Sequence, residues 1–209
     1  MTIDKGFFPS GTCLPVRQGR EMGNIPHIGN DIIDWQMAKT QTQKLRHRSL
    51  EKVCTPVEME KILNDKDQLK CFWKIWAAKE TAYKAWQRYT NSKPVFNPSQ
   101  FNCSFLNENT ILVKTPSFDI TIHLDVTPDY IHAFVDCKGY INQIYAKTEH
   151  VHFLSELSSN NLVIRKSEFN MPLIKHTKTK KTLFISMSHD GRFYAISYPS
   201  SLQQIMSPE

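Results

Sequence analysis

Trp76-Ala77-Ala78-Lys79-Glu80-Thr81-Ala82-Tyr83-Lys84-Ala85 lies inside residues 67–89, a stretch without proline or glycine that is dense in alanine, lysine, tryptophan and leucine. That composition predicts one long helix. On a wheel of about 100° per residue, Trp73, Trp76, Ala77, Tyr83 and Lys84 all fall within about 60° of Glu80. The solvated stripe, through Lys70, Lys74, Thr81 and Arg88, lies about 80° to 120° away. Glu80 therefore sits on an aromatic face, where a carboxylate is costly unless it is paired or holds a metal. Lys84, one turn on, is either its ordinary i, i+4 helix partner or part of a site. Lys79, between Phe72 and Trp86 on the wheel, is a third charge on an apolar-flanked face.

Upstream, Thr55-Pro56-Val57-Glu58 is a capping box with proline at the first helical position, and it predicts a second helix start. Asp34 suits the N-cap of a helix over 35–50, and residues 25–33 read as a strand. Residues 1–24 hold four of the chain's seven glycines and read as a loop-like lead-in.

Downstream, the character changes at Asn91-Ser92-Lys93-Pro94. Alternating β-branched and aromatic runs predict strands at 110–114, 118–124, 130–135 and 140–145, a short helix at 149–160 and a strand at 162–166. A basic loop follows. A hairpin then pairs 183–187 with 193–197 about the turn Asp190-Gly191. Helices first and antiparallel strands after give an α+β fold, with antiparallel strands packed against helices.

Composition narrows the chemistry. The chain has 209 residues, long enough for a substantial core. Seven glycines compare with roughly fifteen at average usage. Neither G-x-G-x-x-G nor G-x-x-x-x-G-K-S/T occurs, which excludes the two commonest glycine-rich phosphate cradles. Any phosphate must be held by side chains and metal. The net charge of +6 points to an anionic partner. The excess gathers in two groups: Lys39, Lys44, Arg46, His47, Arg48 and Lys52, and then Lys175, His176, Lys178, Lys180 and Lys181. Both also read as plain solvated faces. Five cysteines without metal-ligand spacing read as free thiols in a reducing, cytoplasmic setting. No apolar run approaches a membrane span, and the N-terminus lacks a signal-peptide core.

Asp31 is disfavoured in a strand, yet it alternates in phase with Gly29, whose missing side chain leaves space for something bulky. A strand aspartate, a helix glutamate and a nearby lysine are one way to present Mg²⁺ to a diphosphate, while strand-end and cap roles explain Asp31 and Asp34 equally well. Ser188 and His189 are adjacent on a strand and point to opposite faces, so they are no nucleophile–base pair. A hairpin tip needs no function at all.

Taken in order, these segments resemble the 4′-phosphopantetheinyl transferase superfamily. Ile28-Gly29-Asn30-Asp31 is similar to its G-x-D signature and Thr55-Pro56-Val57-Glu58 to T-x-x-E. Trp76 through Lys84 is similar to (F/W)-x-x-K-E-x-x-x-K, and Ser186-Met187-Ser188-His189 to S-x-S-H. The order is that of the small holo-acyl-carrier-protein synthases. The resemblance implies one transferase domain over 1–209, with the metal- and coenzyme A-binding elements at 25–90, an extra β-rich region at 91–160 and the Ser-His strands at 161–198. It implies transfer of phosphopantetheine from coenzyme A (CoA) to a carrier-protein serine. Asp31 and Glu80 would ligate Mg²⁺, and Glu80 would assist deprotonation of the serine. Lys84 would stabilise the diphosphate and the departing 3′,5′-ADP. Lys74, Lys79, Ser188 and His189 would line the CoA site, with Arg46 and Arg48 as further phosphate or carrier contacts. The implied partners are CoA and an acidic apo acyl or peptidyl carrier protein, serving fatty acids, polyketides or nonribosomal peptides, with no nucleic acid and no membrane. Asn30 stands where threonine or isoleucine is usual, and no glycine follows Lys84. Small synthases trimerise to build sites between subunits, whereas the larger members place two similar halves in one chain; the enlarged strand region leads us to expect that this chain completes a site alone. The competing readings are an Mg²⁺-dependent nuclease or phosphohydrolase, and a non-enzymatic nucleic-acid-binding module.

Overall fold

Asp34 ends the first strand, β1 (Asn30–Asp34), and caps the first helix, α1 (Trp35–Gln41), by accepting from the Gln36 and Met37 amides at 3.2 and 3.3 Å. The computed structural model describes residues 26–42 and 45–206; the expected lead-in over 1–24, Lys44 and Cys13 lie outside them. The single helix expected over 35–50 is instead two, α1 and α2 (His47–Val53). No apolar residue stands between Ala38 and Leu45, so nothing holds a continuous helix face to the core. α3 (Pro56–Leu63) begins at the expected capping box, with the Thr55 amide donating to Glu58 Oε2 at 2.7 Å. α4 (Gln68–Thr90) is the long helix and stops on Asn91, whose φ of 47° is left-handed.

The strands β3 (Thr110–Lys114), β4 (Asp119–Val126) and β5 (Tyr130–Phe134) match the alternating runs, and β2 (Asn102–Asn107) precedes them. β2 escapes the sequence pattern because it is an edge strand with Asn102, Ser104 and Asn107 at solvent-facing ends and only Cys103 well buried. All pairing in this sheet is antiparallel, in the order β1-β5-β4-β3-β2. α4 lies across it and buries Ile75, Ala78, Ala82 and Ala85 with Ile111, Val113, Ile122, Ile131 and Ala133. The closest approach is at Gly29, where a Cβ would run into the Thr81 carbonyl. The space beside Gly29 is thus filled by helix backbone and not, as its sequence position suggests, by a bulky group.

A second core follows. β6 (Tyr140–Ala146) and α5 (Lys147–Ser159) lead into β7 (Leu162–Lys166), β8 (Pro172–His176) and β9 (Thr182–Phe184). β10 (Ser186–Asp190), β11 (Phe193–Pro199) and α6 (Ser200–Met206) complete it. The expected basic loop is in fact a β-hairpin: Leu173 and Ile174 pair with Phe184 and Leu183, and the lysines sit exposed at its tip. Two three-stranded sheets, β10-β11-β6 and β7-β8-β9, enclose Phe153, Leu157, Leu162, Ile174, Ile196 and Leu202. The two cores meet where β10 and β11 lie along β1. The architecture is α+β with antiparallel sheets. No helix among the described residues is long and apolar enough to cross a membrane.

Candidate active site

One edge of β1 pairs with β5, and the other faces β10. Asp31 is opposite Ala133 in this register, on the sheet face that α4 covers. Glu80 and Lys84 come from successive turns of that helix. Lys84 Nζ donates to Asp31 Oδ1 at 2.9 Å and to the Asn30 carbonyl at 2.8 Å. The ordinary i, i+4 pairing of Lys84 with Glu80 gives way to this contact across to the strand.

Both carboxyl groups hold protons more tightly than usual. Burial raises the pKa of Asp31, Lys84 opposes the shift, and the charge of Asp190 adds to it. Burial also raises that of Glu80, reinforced by the charge of Asp31 and opposed by Lys84. One lysine therefore serves two carboxylates, with a third nearby. No hydrogen bond holds the Glu80 carboxylate among the described residues.

β10 brings its serines against Asn30. Ser188 Oγ donates to Asn30 Oδ1 at 3.1 Å, next in the chain to Asp31. His189 faces the other way and stacks on Tyr194 at 5.5 Å, which in turn stacks on His150 at 3.9 Å. Both ends of β10 are fastened to the first core. At one end Arg192 donates to Asp34 Oδ2 and Oδ1 at 2.8 and 2.9 Å, and the Asp34 amide donates to Asp190 Oδ2 at 2.8 Å. Gly191, at φ 50°, turns the chain there with no room for a Cβ beside Asp34 and Met37. At the other end the Arg88 guanidinium donates to the Ile185 carbonyl and stacks over Phe184 at 5.7 Å. Burial of Arg88 pulls its pKa down to about 10.

A family model described as the 4′-phosphopantetheinyl transferase superfamily matches residues 27–135, just over half of the 209 residues. The chain belongs to this superfamily. No curated protein matches it. The family match takes in Asp31, Glu80 and Lys84 together with β2–β5, and it ends before the Ser-His strand.

Within this superfamily member, the candidate residues divide by position. Asp31, Glu80 and Lys84 converge, while Ser188 meets the side chain of Asn30, next in the chain to Asp31, and His189 lies on the opposite face of β10. Lys79 does not join them and is corrected: it is fully buried, with Nζ 2.7 Å from both Glu58 Oε2 and the Val53 carbonyl and 3.1 Å from the Pro98 carbonyl. With its three hydrogens spent inside the protein, it ties α4 to α3 and reaches no ligand. Lys74 is not brought to Asp31, Glu80 and Lys84 by any contact among the described residues. It donates to the Glu108 carbonyl at 3.2 Å, beside a cavity of about 430 Å³ that Lys61, Asp65, Lys70 and Phe105 also line. Arg46, at the N-cap of α2, and Arg48, within it, are exposed, and α2 packs on α3 and the turn at Pro98–Gln100.

Thr81 and Arg88, placed on the solvated stripe by the wheel, are buried beneath β5 and β9–β10. The sequence reading also missed Asn30, Arg88 and the Asp34–Arg192 pair, whose partners lie far along the chain. The one local hint was Asn30, unusual at its place in the G-x-D signature.

The raised pKa of Glu80 makes a testable statement about stability. A carboxyl that binds its proton more tightly in the folded state costs stability as pH rises above its ordinary value of 4.5. The melting-temperature advantage of Glu80→Gln over the wild type in Mg²⁺-free buffer is therefore expected to widen from pH 4.5 towards 7. A constant difference across that range contradicts it.

Proposed function

We propose that the chain transfers the 4′-phosphopantetheine group of CoA to a serine hydroxyl of an acyl or peptidyl carrier protein, with Mg²⁺, releasing 3′,5′-ADP. The observation that carries this reading is the pair of proton-hungry carboxyls, Asp31 and Glu80, sharing Lys84 in a member of this superfamily. The donor set fits Mg²⁺: two hard carboxylate groups with one compensating cation leave negative charge for a divalent ion to balance. Asp31 and Glu80 would hold it, and when bound it supplies Lewis-acid neutralisation of the diphosphate.

The remaining work falls to the chain itself. Glu80, whose carboxylate has no hydrogen bond among the described residues, takes the proton of the carrier serine. The serine oxygen forms the new bond to phosphorus as the bond to the 3′,5′-ADP oxygen breaks. Lys84 Nζ, already 2.8–2.9 Å from two oxygens at the edge of β1, stabilises the charge that grows on the leaving diphosphate oxygen. Ser188 and the exposed His189 supply CoA contacts. Because there is little covalent chemistry for the protein to perform, positioning and electrostatics provide most of the acceleration.

Ser188 meets Asn30, the neighbour of Asp31, within one chain, which supports a site that a single chain completes. The buried thiols of Cys54, Cys71 and Cys103 support a reducing, cytoplasmic setting. A phosphohydrolase would use the same carboxylates and lysine, so the products discriminate. Release of 3′,5′-ADP is expected only when CoA, Mg²⁺ and an apo carrier protein are all present. Release at equal rate without carrier overturns the transferase reading in favour of hydrolysis.

A further inference from the structure

Asn30 is fully buried between β1 and β10, and every polar atom it owns on that side is engaged. Its amide N–H donates to Ser186 Oγ at 3.1 Å, and its carbonyl accepts Lys84 Nζ at 2.8 Å. Its side-chain Nδ2 donates to the Ser186 carbonyl at 3.2 Å and to Ser197 Oγ at 2.9 Å. Ser197 in turn donates to Asn142 Oδ1, so the chain of hydrogen bonds runs on to β6.

A backbone carbonyl only accepts, so the Ser186 carbonyl fixes which end of the Asn30 amide faces it. The reverse orientation would set two oxygens against each other. Oδ1 is therefore the atom that meets Ser188 Oγ at 3.1 Å, and Oδ1 has no hydrogen to give. The single hydrogen of the Ser188 hydroxyl is spent on Asn30. What half-buried Ser188 offers outward is lone pairs.

We infer that Asn30 is a positioning residue that locks Ser188 as a hydrogen-bond acceptor toward CoA, an inference that rests on the transferase reading. The phosphoryl oxygens of CoA have no hydrogen to donate near neutral pH. The group that Ser188 meets is thus an N–H or O–H of CoA (a pantetheine amide, a ribose hydroxyl or the adenine amino group) and not its 3′-phosphate.

The test is a double-mutant cycle on KM for CoA with wild type, Ser188→Ala, Asn30→Ala and the double variant, repeated with 3′-dephospho-CoA. Ser188→Ala is expected to raise KM about five- to tenfold for both cofactors, with kcat within about twofold. The double variant is expected to be no worse than the worse single one. Melting curves accompany each protein. Should Asn30→Ala fail to fold, Asn30→Ser, which leaves room for a water in place of the amide, takes its position in the cycle. Additive single effects, no KM change in Ser188→Ala, or an effect that vanishes with 3′-dephospho-CoA overturns the inference alone. A wild type that transfers nothing from CoA to any carrier overturns it together with the transferase reading.

Discussion

Replacing Lys79 with methionine is expected to cost the fold about 3–5 kcal/mol, the range for removing one partner of a buried ion pair. Lys79 and Glu58 are shielded almost completely, at 0% and 2% side-chain exposure, and their contact is 2.7 Å. Methionine fills a similar volume, so the loss is electrostatic rather than a cavity. It leaves the Glu58 carboxylate buried without its cation and the Val53 and Pro98 carbonyls without their donor. Glu58 keeps its bonds from the Thr55 and Cys103 amides. Replacing both partners by Lys79→Met and Glu58→Leu is expected to recover part of the loss, because an apolar pair has no charge left to desolvate. Urea unfolding reads both effects. The folded fraction of Lys79→Met keeps its KM for CoA within about twofold, since no ligand reaches this lysine. A stable Lys79→Met protein with a raised KM would return the residue to the cofactor site.

The larger functional effect belongs to Glu80. On the transferase reading, Glu80→Gln keeps the shape and removes both the proposed proton acceptor and one of the two carboxylates proposed to hold Mg²⁺. Loss of a general base alone costs about 10²–10⁴ in rate, and loss of a metal ligand adds to that. The fold gains rather than suffers, because an amide no longer repels Asp31 or calls for desolvation of a charge. Activity and stability thus move in opposite directions in one variant, which separates a site residue from a structural one.

The two variants show where the sequence was legible. The wheel placed Glu80 and Lys84 on one apolar face because helical spacing is local, and the strand phase singled out Asp31. Joining them required only that α4 lie on β1, and Gly29 permits that approach. Lys79 carried the same local signal, an isolated charge on an apolar-flanked face, but its partner is a capping-box glutamate 21 residues earlier. The Thr55–Glu58 box was plain in the sequence, while its second use, as a buried counter-ion, was not. Arg88 was misplaced for a related reason: a single helix reveals its own periodicity but not that a second sheet will cover its polar stripe. The bonds from Asn30 to Ser186, Ser188 and Ser197 span 156 to 167 residues, beyond the reach of any spacing rule. β2 and the β8–β9 hairpin were missed because their polar residues mask short alternations.

The most direct test is the intact mass of apo acyl and peptidyl carrier proteins after incubation with CoA and Mg²⁺, using wild type and Glu80→Gln in parallel. The transferase reading predicts a gain of one phosphopantetheine on at least one carrier with the wild type, and conversion slowed about 10²-fold or more with Glu80→Gln. No gain on any carrier with the wild type, or full conversion at the wild-type rate with Glu80→Gln, would contradict it.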